Sequence, residues 1–187
     1  WSRYIAATFG WLAVVLLYFV VKRLFNRSAA LLAAGFLAVN YRHVLGSHFG
    51  LPDVHGSFIG LLVLLAAMLL VEKKTAWRYI FVGVTAGLYF SLKYQPFAFL
   101  PLLVAHLYWT FKEKKLINLV HPYAWLALIV AFGTFIIINP YYFSNIHNAF
   151  FRNDQDFRRY QMGVIEFRPY GYFYLFHWGI GQLVSIM

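Results

Sequence analysis

The chain has no cysteine and only six acidic residues. Without cysteine there are no disulfides, no thiolate metal sites and no cysteine nucleophile, and the redox compartment stays open. The carboxylates are Asp53, Glu72, Glu113, Asp154, Asp156 and Glu166, so few groups are available as a base. Charge of either sign is scarce, at 12% of residues against 62% hydrophobic. A soluble domain carries about 25% charged and roughly 45–50% apolar residues. This chain has too little polar surface to face water, and its mean hydropathy is +0.65. No low-complexity tract or internal repeat stands out, and no charged n-region with a cleavage site follows Trp1. The chain stops at Met187 inside an apolar run. The expectation is an internal fragment of a longer membrane protein, inactive by itself.

What the sequence does have is apolar runs and aromatics. Aromatic residues make up 21%, with 20 Phe, 14 Tyr and 6 Trp. Tyr and Trp suit the headgroup region, since each ring has an apolar body and a polar tip. A membrane span takes about 20 mostly apolar residues. The runs 4–21, 28–40, 54–71, 77–92, 96–111 and 122–138 therefore predict an all-α, polytopic transmembrane bundle. About six helices cross or enter the bilayer. A segment at 139–170 follows on the outer face, and a further helix starts from 171. The run 28–40 rises only about 20 Å. It either continues through 41–48 or stops short of the far interface.

The net charge of +10 is placed in short clusters between the runs. That is how topology is encoded in a membrane, so nucleic acid is not an expected partner. Lys22, Arg23, Arg27, Lys73, Lys74, Lys112, Lys114 and Lys115 follow the odd-numbered runs. The positive-inside rule puts these short loops in the cytoplasm. The segment 41–53, a tight turn at 93–95 and the tail from 139 then face outward, although Arg152, Arg158, Arg159 and Arg168 in the tail count against this. Pro52 precedes Asp53, which is expected to cap the next helix. Pro96 and Pro122 fit first-turn positions. Asn139-Pro140 ends the sixth run.

Few residues are left to carry chemistry. Glu72 and Glu113 sit beside lysines and read as solvated loop charges. Asp53 lies at the membrane surface, where an ionisable group is costly unless paired or wet. It reads as a helix-terminus carboxylate, as a site residue, or as both. His48, Asp53 and His55, with His43 nearby, have side chains suited to a divalent metal ion, although their spacing matches no strong ligand motif. Lys93, followed by Tyr94, either snorkels to the interface or serves as a point charge for a phosphate. Arg158, Arg159 and Arg168 either touch anionic membrane lipids or grip a lipid-linked phosphate, for which a planar fork is suited. His106 and His121 read as structural.

Several segments come in a telling order. Leu51-Pro52-Asp53 precedes a long apolar helix. Gly83-Val84-Thr85-Ala86-Gly87-Leu88 and Ser91-Leu92-Lys93-Tyr94 follow it, and Asn139-Pro140-Tyr141-Tyr142 closes a later helix pair. In this order the chain resembles the multi-spanning glycosyltransferases of the GT-C fold. It is most similar to the dolichyl-phosphate-mannose-protein mannosyltransferase-like and aminoarabinose-transferase-like enzymes. The resemblance covers most of the 187 residues. It implies hexosyl or pentosyl transfer from a polyprenyl- or dolichyl-phosphate carrier to a lipid, glycan or protein acceptor. That transfer takes place at the outer, periplasmic or luminal, membrane face. It further implies that Asp53 matches the family's second outer-face acidic position, and that Lys93 matches a lysine following the Gly-rich helix. The family's first acidic loop has no counterpart here. A secondary transporter or permease is the alternative, since broken helices and ionisable residues fit it too.

Overall fold

Backbone caps, as much as hydrophobicity, decide where the helices start and stop. In the computed structural model, residues 1–50, 52–93, 96–114 and 116–140 are described. They belong to one unit, Trp1–Pro140. Among them are seven α-helices, two 3-10 turns and no strand. Helix α1 (Ser2–Leu24) ends with Lys22 and Arg23 in its last turn, where cations oppose the negative end of the dipole. Asn26 opens α2 (Arg27–Val39), its side chain accepting from the Ala29 N–H at 2.9 Å. Asn40 does the same for α3 (Tyr41–Phe49), accepting from the His43 N–H at 3.0 Å.

Asn40 is extended, with φ −65° and ψ 118°, so α2 and α3 meet at a bend of 53°. Residues 41–48, expected either to continue the run 28–40 or to belong to an outward-facing segment, are thus helical beyond a bend. Two small residues let α3 pack closely. Gly10 of α1 faces Ser47, and Gly46 leaves room for Val54 of the next helix. Gly50, at φ +70°, stops α3 in the left-handed region, where a side chain would be strained.

Helix α4 (Pro52–Glu72) begins one residue before Asp53, so Asp53 lies in its first turn instead of capping it. Proline suits that first position because its missing N–H has no partner to lose there. Helix α5 (Ala76–Lys93) follows. A helix was expected to start at Pro96, but Pro96–Phe99 is a 3-10 turn and α6 spans Leu100–Lys112. Pro101 explains the shift. Its ring tolerates only the first turn of a helix, so the α-helix cannot begin much earlier. After the turn Leu116–Val120, α7 (Pro122–Ile138) starts at proline, with the His121 side chain accepting from the Tyr123 N–H.

Among the described residues, three stretches are long and apolar enough to cross a membrane: Ser2–Leu24, Asp53–Glu72 and Ile117–Ile138. The bent pair α2 and α3 makes a fourth if it is one span. At 13 residues, α6 rises only about 20 Å. The six similar runs of the sequence are therefore unequal in the folded chain, within an all-α membrane bundle.

Helices α5 and α7 run parallel in close register. Gly83 lies on Ala127 and Gly87 on Ala131, and the rings of Tyr79 and Tyr123 are 5.8 Å apart. Tyr79 and Val82 of α5 join Ala66, Ala67 and Leu70 of α4, with Leu102 and Ala105 of α6, in one buried cluster. Ion pairs pin the basic end. Glu72 bonds Arg23 and lies 3.6 Å from Arg78, and Lys74 pairs with Glu113 at 3.0 Å. Both glutamates are exposed, as expected, and each also pairs with distant cations, Glu72 with Arg23 of α1 and Arg78 of α5, Glu113 with Lys74 of the loop between α4 and α5. Exposed pairs of this kind contribute little stability each, but they set which helix ends meet.

His106 is structural, as expected. Its Nε2 lies 3.3 Å from the Leu119 carbonyl oxygen, which can only accept, so Nε2 carries the proton. Its Nδ1 then accepts from the Tyr79 hydroxyl at 2.8 Å. Tyr79 is fully buried. Tyr79→Phe leaves that nitrogen without its donor and is expected to destabilise the bundle by about 1–3 kcal/mol. Denaturant unfolding in mild detergent measures it. A loss within error of zero would show that the hydroxyl is replaceable there.

Candidate functional site

Helix α4 carries a stripe of small and polar residues along one side. Asp53, Gly56, Ser57, Gly60, Leu61 and Leu64 recur at the helical spacing that places them on one face. They line a groove of about 420 Å³, together with Tyr89 of α5. The two walls meet closely at Gly60, where a Cβ would stand 3.1 Å from the Tyr89 ring. The polar end holds the exposed Asp53 and Ser57. The Ser57 hydroxyl donates to the Asp53 backbone carbonyl at 2.9 Å, which leaves the Asp53 carboxylate out of that bond. Deeper in, the lining turns apolar with Leu61 and Leu64. Asp53 sits in the first turn of α4, near the positive end of the helix dipole.

Leu64 also lines a second cleft of about 520 Å³, which continues along α4 past Ala67, Met68 and Val71 to Glu72 and Arg23. One face of α4 is therefore bordered by open space along most of its length. Its chemistry runs from carboxylate, through aliphatic, to an ion pair.

Lys93 is the last residue of α5, four positions after Tyr89. Of α5, Tyr89 lines the groove that holds Asp53. Tyr94, Arg158, Arg159 and Arg168 lie outside the described residues, as do Asp154, Asp156 and Glu166. The histidines go elsewhere. His43 Nε2 lies 3.1 Å from the Gly10 carbonyl, which tethers α3 to α1. The His55 ring packs on Phe9 at 4.7 Å, and His48 is exposed in the last turn of α3. Among the described residues no three of His, Cys, Asp or Glu come together in a way that holds a metal ion. His48, Asp53 and His55 are not brought together as such a group. Ser57, Gly60 and Tyr89 were not singled out from sequence. The first two were legible as a small-residue stripe counted from Asp53. Tyr89 was not, because nothing local shows which helix covers that stripe.

The family model for dolichyl-phosphate-mannose-protein mannosyltransferase matches residues 2–139, which takes in every described helix. The chain belongs to this family. No curated protein and no solved structure matches it. This mannosyltransferase-family chain is accordingly a membrane glycosyltransferase of the GT-C type. Its helices supply the apolar surroundings that a lipid-linked sugar chemistry needs. The groove on α4 lies wholly inside the matched region.

Proposed function

We propose that the protein moves a sugar from a polyprenyl- or dolichyl-phosphate carrier to a hydroxyl on a lipid, glycan or protein, at the outer membrane face. The groove on α4 supports this, with a carboxylate at its mouth and leucines beneath. In the transfer, an acceptor oxygen attacks the anomeric carbon and forms the new glycosidic bond as the bond to the carrier phosphate breaks. Asp53 orients the acceptor and takes its proton. Lys93, with Tyr94, Arg158, Arg159 and Arg168, offsets charge on the departing phosphate. The apolar part of the groove holds the first isoprene units of the carrier.

The proposal requires Asp53 to face away from the basic loops and the cytoplasm. The chain has no cysteine, so a thiol introduced into this region is unique within it. In the full-length protein, with other cysteines removed, Asp53→Cys is expected to react with a membrane-impermeant maleimide in intact cells. Reaction only after permeabilisation would put the carboxylate on the cytoplasmic side and end the proposal.

A further inference from the structure

The second cleft poses a separate question, because its walls do not resemble those of the first. It lies between the end of α1, the second half of α4 and the start of α6. Leu64, Met68, Val71 and Val104 make it apolar. At its basic end stand Arg23 and Glu72, with side chains 43% and 42% exposed. Glu72 is shared. One carboxylate oxygen takes the Nε and Nη2 of Arg23, and the other faces Arg78 at 3.6 Å. Two guanidinium groups against one carboxylate leave a positive charge at the mouth. Lys22 and Lys73, both exposed, are next to Arg23 and Glu72 in sequence.

Length supplies the second clue. From Leu64 to Glu72 is eight residues, or about 12 Å along the helix. Half of a bilayer's hydrocarbon core is about 15 Å. The cleft is thus nearly as deep as one leaflet's hydrocarbon, apolar at its Leu64 end and cationic at its Glu72 end.

We propose that this cleft holds one acyl chain of an acidic phospholipid, whose phosphate sits against Arg23. A zwitterionic lipid brings its own cation to a mouth that is already positive. A free anion lacks the tail that would fill the apolar part. Arg78 is the less available cation, because its Nη1 also donates to the Leu69 carbonyl. Arg23 is the one exposed enough to meet a headgroup while still bonded to Glu72.

The two members of the ion pair separate this proposal from a purely structural role. The full-length protein is purified from vesicles of phosphatidylcholine containing phosphatidylglycerol, and retained lipid is counted by mass spectrometry. Wild type is expected to retain phosphatidylglycerol in preference to phosphatidylcholine. Arg23→Gln is expected to lower that retention about fivefold, the effect of one cation near an anionic lipid surface. Glu72→Gln frees both guanidinium groups and is expected to raise it. Leu64→Trp fills the deep end and is expected to lower retention with every charge in place, which keeps a test available if a charge variant folds poorly. If Arg23→Gln and Glu72→Gln lower retention alike, the pair only holds helices together and the proposal fails. Equal retention of the two lipids, or no effect of Leu64→Trp, overturns it as well.

Discussion

Asp53→Asn in the full-length protein is expected to slow sugar transfer roughly 100- to 10,000-fold, the range over which a positioned acid or base acts. Asparagine keeps the size and planarity of the side chain and removes only its charge and its ability to take a proton. Asp53 is exposed, so the change opens no cavity. The dipole of α4 loses a favourable anion in its first turn, which is worth only about 0.3–1 kcal/mol. Stability and transfer should therefore part company, with a small change in melting temperature and a large drop in kcat. Donor binding is assigned to other residues, so KM for the lipid-linked sugar should move little. If the carboxylate serves only the helix terminus, Asp53→Asn and Asp53→Ser will both transfer sugar at nearly the wild-type rate. That result would remove Asp53 from the chemistry and leave the groove without a base among the described residues.

How far the sequence could lead to this groove depends on whether each signal is local. The apolar runs place α1, α4 and α7 because each carries its own hydrophobicity within one segment. The punctuation at Pro122 and Asn139 works for the same reason. Helix α3 is only one of two readings of the sequence because Arg42, His43 and His48 make it polar on average. Its helicity rests on the Asn40 cap and on the tight fit of Gly46 against Val54. The start of α6 is ambiguous in the sequence because Pro96 and Pro101 both suit a first turn. The pairing of Glu72 and Glu113 is not legible locally because the bonded Arg23 and Lys74 lie 49 and 39 residues away. Asp53 was found as a chemical oddity in a sequence short of carboxylates. The wall opposite it was not, since Tyr89 reaches the groove only through the packing of α4 on α5.

That packing depends in turn on the other side of α5, where the second large effect is expected. Gly87→Ala should destabilise the bundle by about 1–3 kcal/mol, the usual range for overpacking a filled interior. A Cβ at Gly87 runs into the Ala131 carbonyl oxygen and stands 3.0 Å from the Ala131 Cα and 2.9 Å from the Thr134 Cβ. At Gly83 it meets the Ala127 carbonyl at 2.5 Å. The oxygens and Cα atoms belong to backbone, so no rotamer change relieves the overlap and α5 must move off α7. Close approach over small residues is how helices associate in lipid, where apolar faces gain nothing over the surrounding chains. Gly133 on α7 is the control, since a Cβ there meets nothing within 4 Å. Gly133→Ala should be neutral or stabilise by up to about 0.5–1 kcal/mol, because alanine loses less backbone freedom in a helix. The double change Gly83→Ala with Gly87→Ala should cost less than the two single losses together, since helices parted at one contact resist the second less. Displacing α5 also moves Tyr89, which rests against Gly60 in the groove. Gly87→Ala should therefore weaken sugar transfer even where the protein stays folded. Unfolding in mild detergent and a transfer assay on the folded fraction read the two effects separately. Equal stability of Gly87→Ala and Gly133→Ala would mean that the α5–α7 contact is looser than the parallel glycine seam requires.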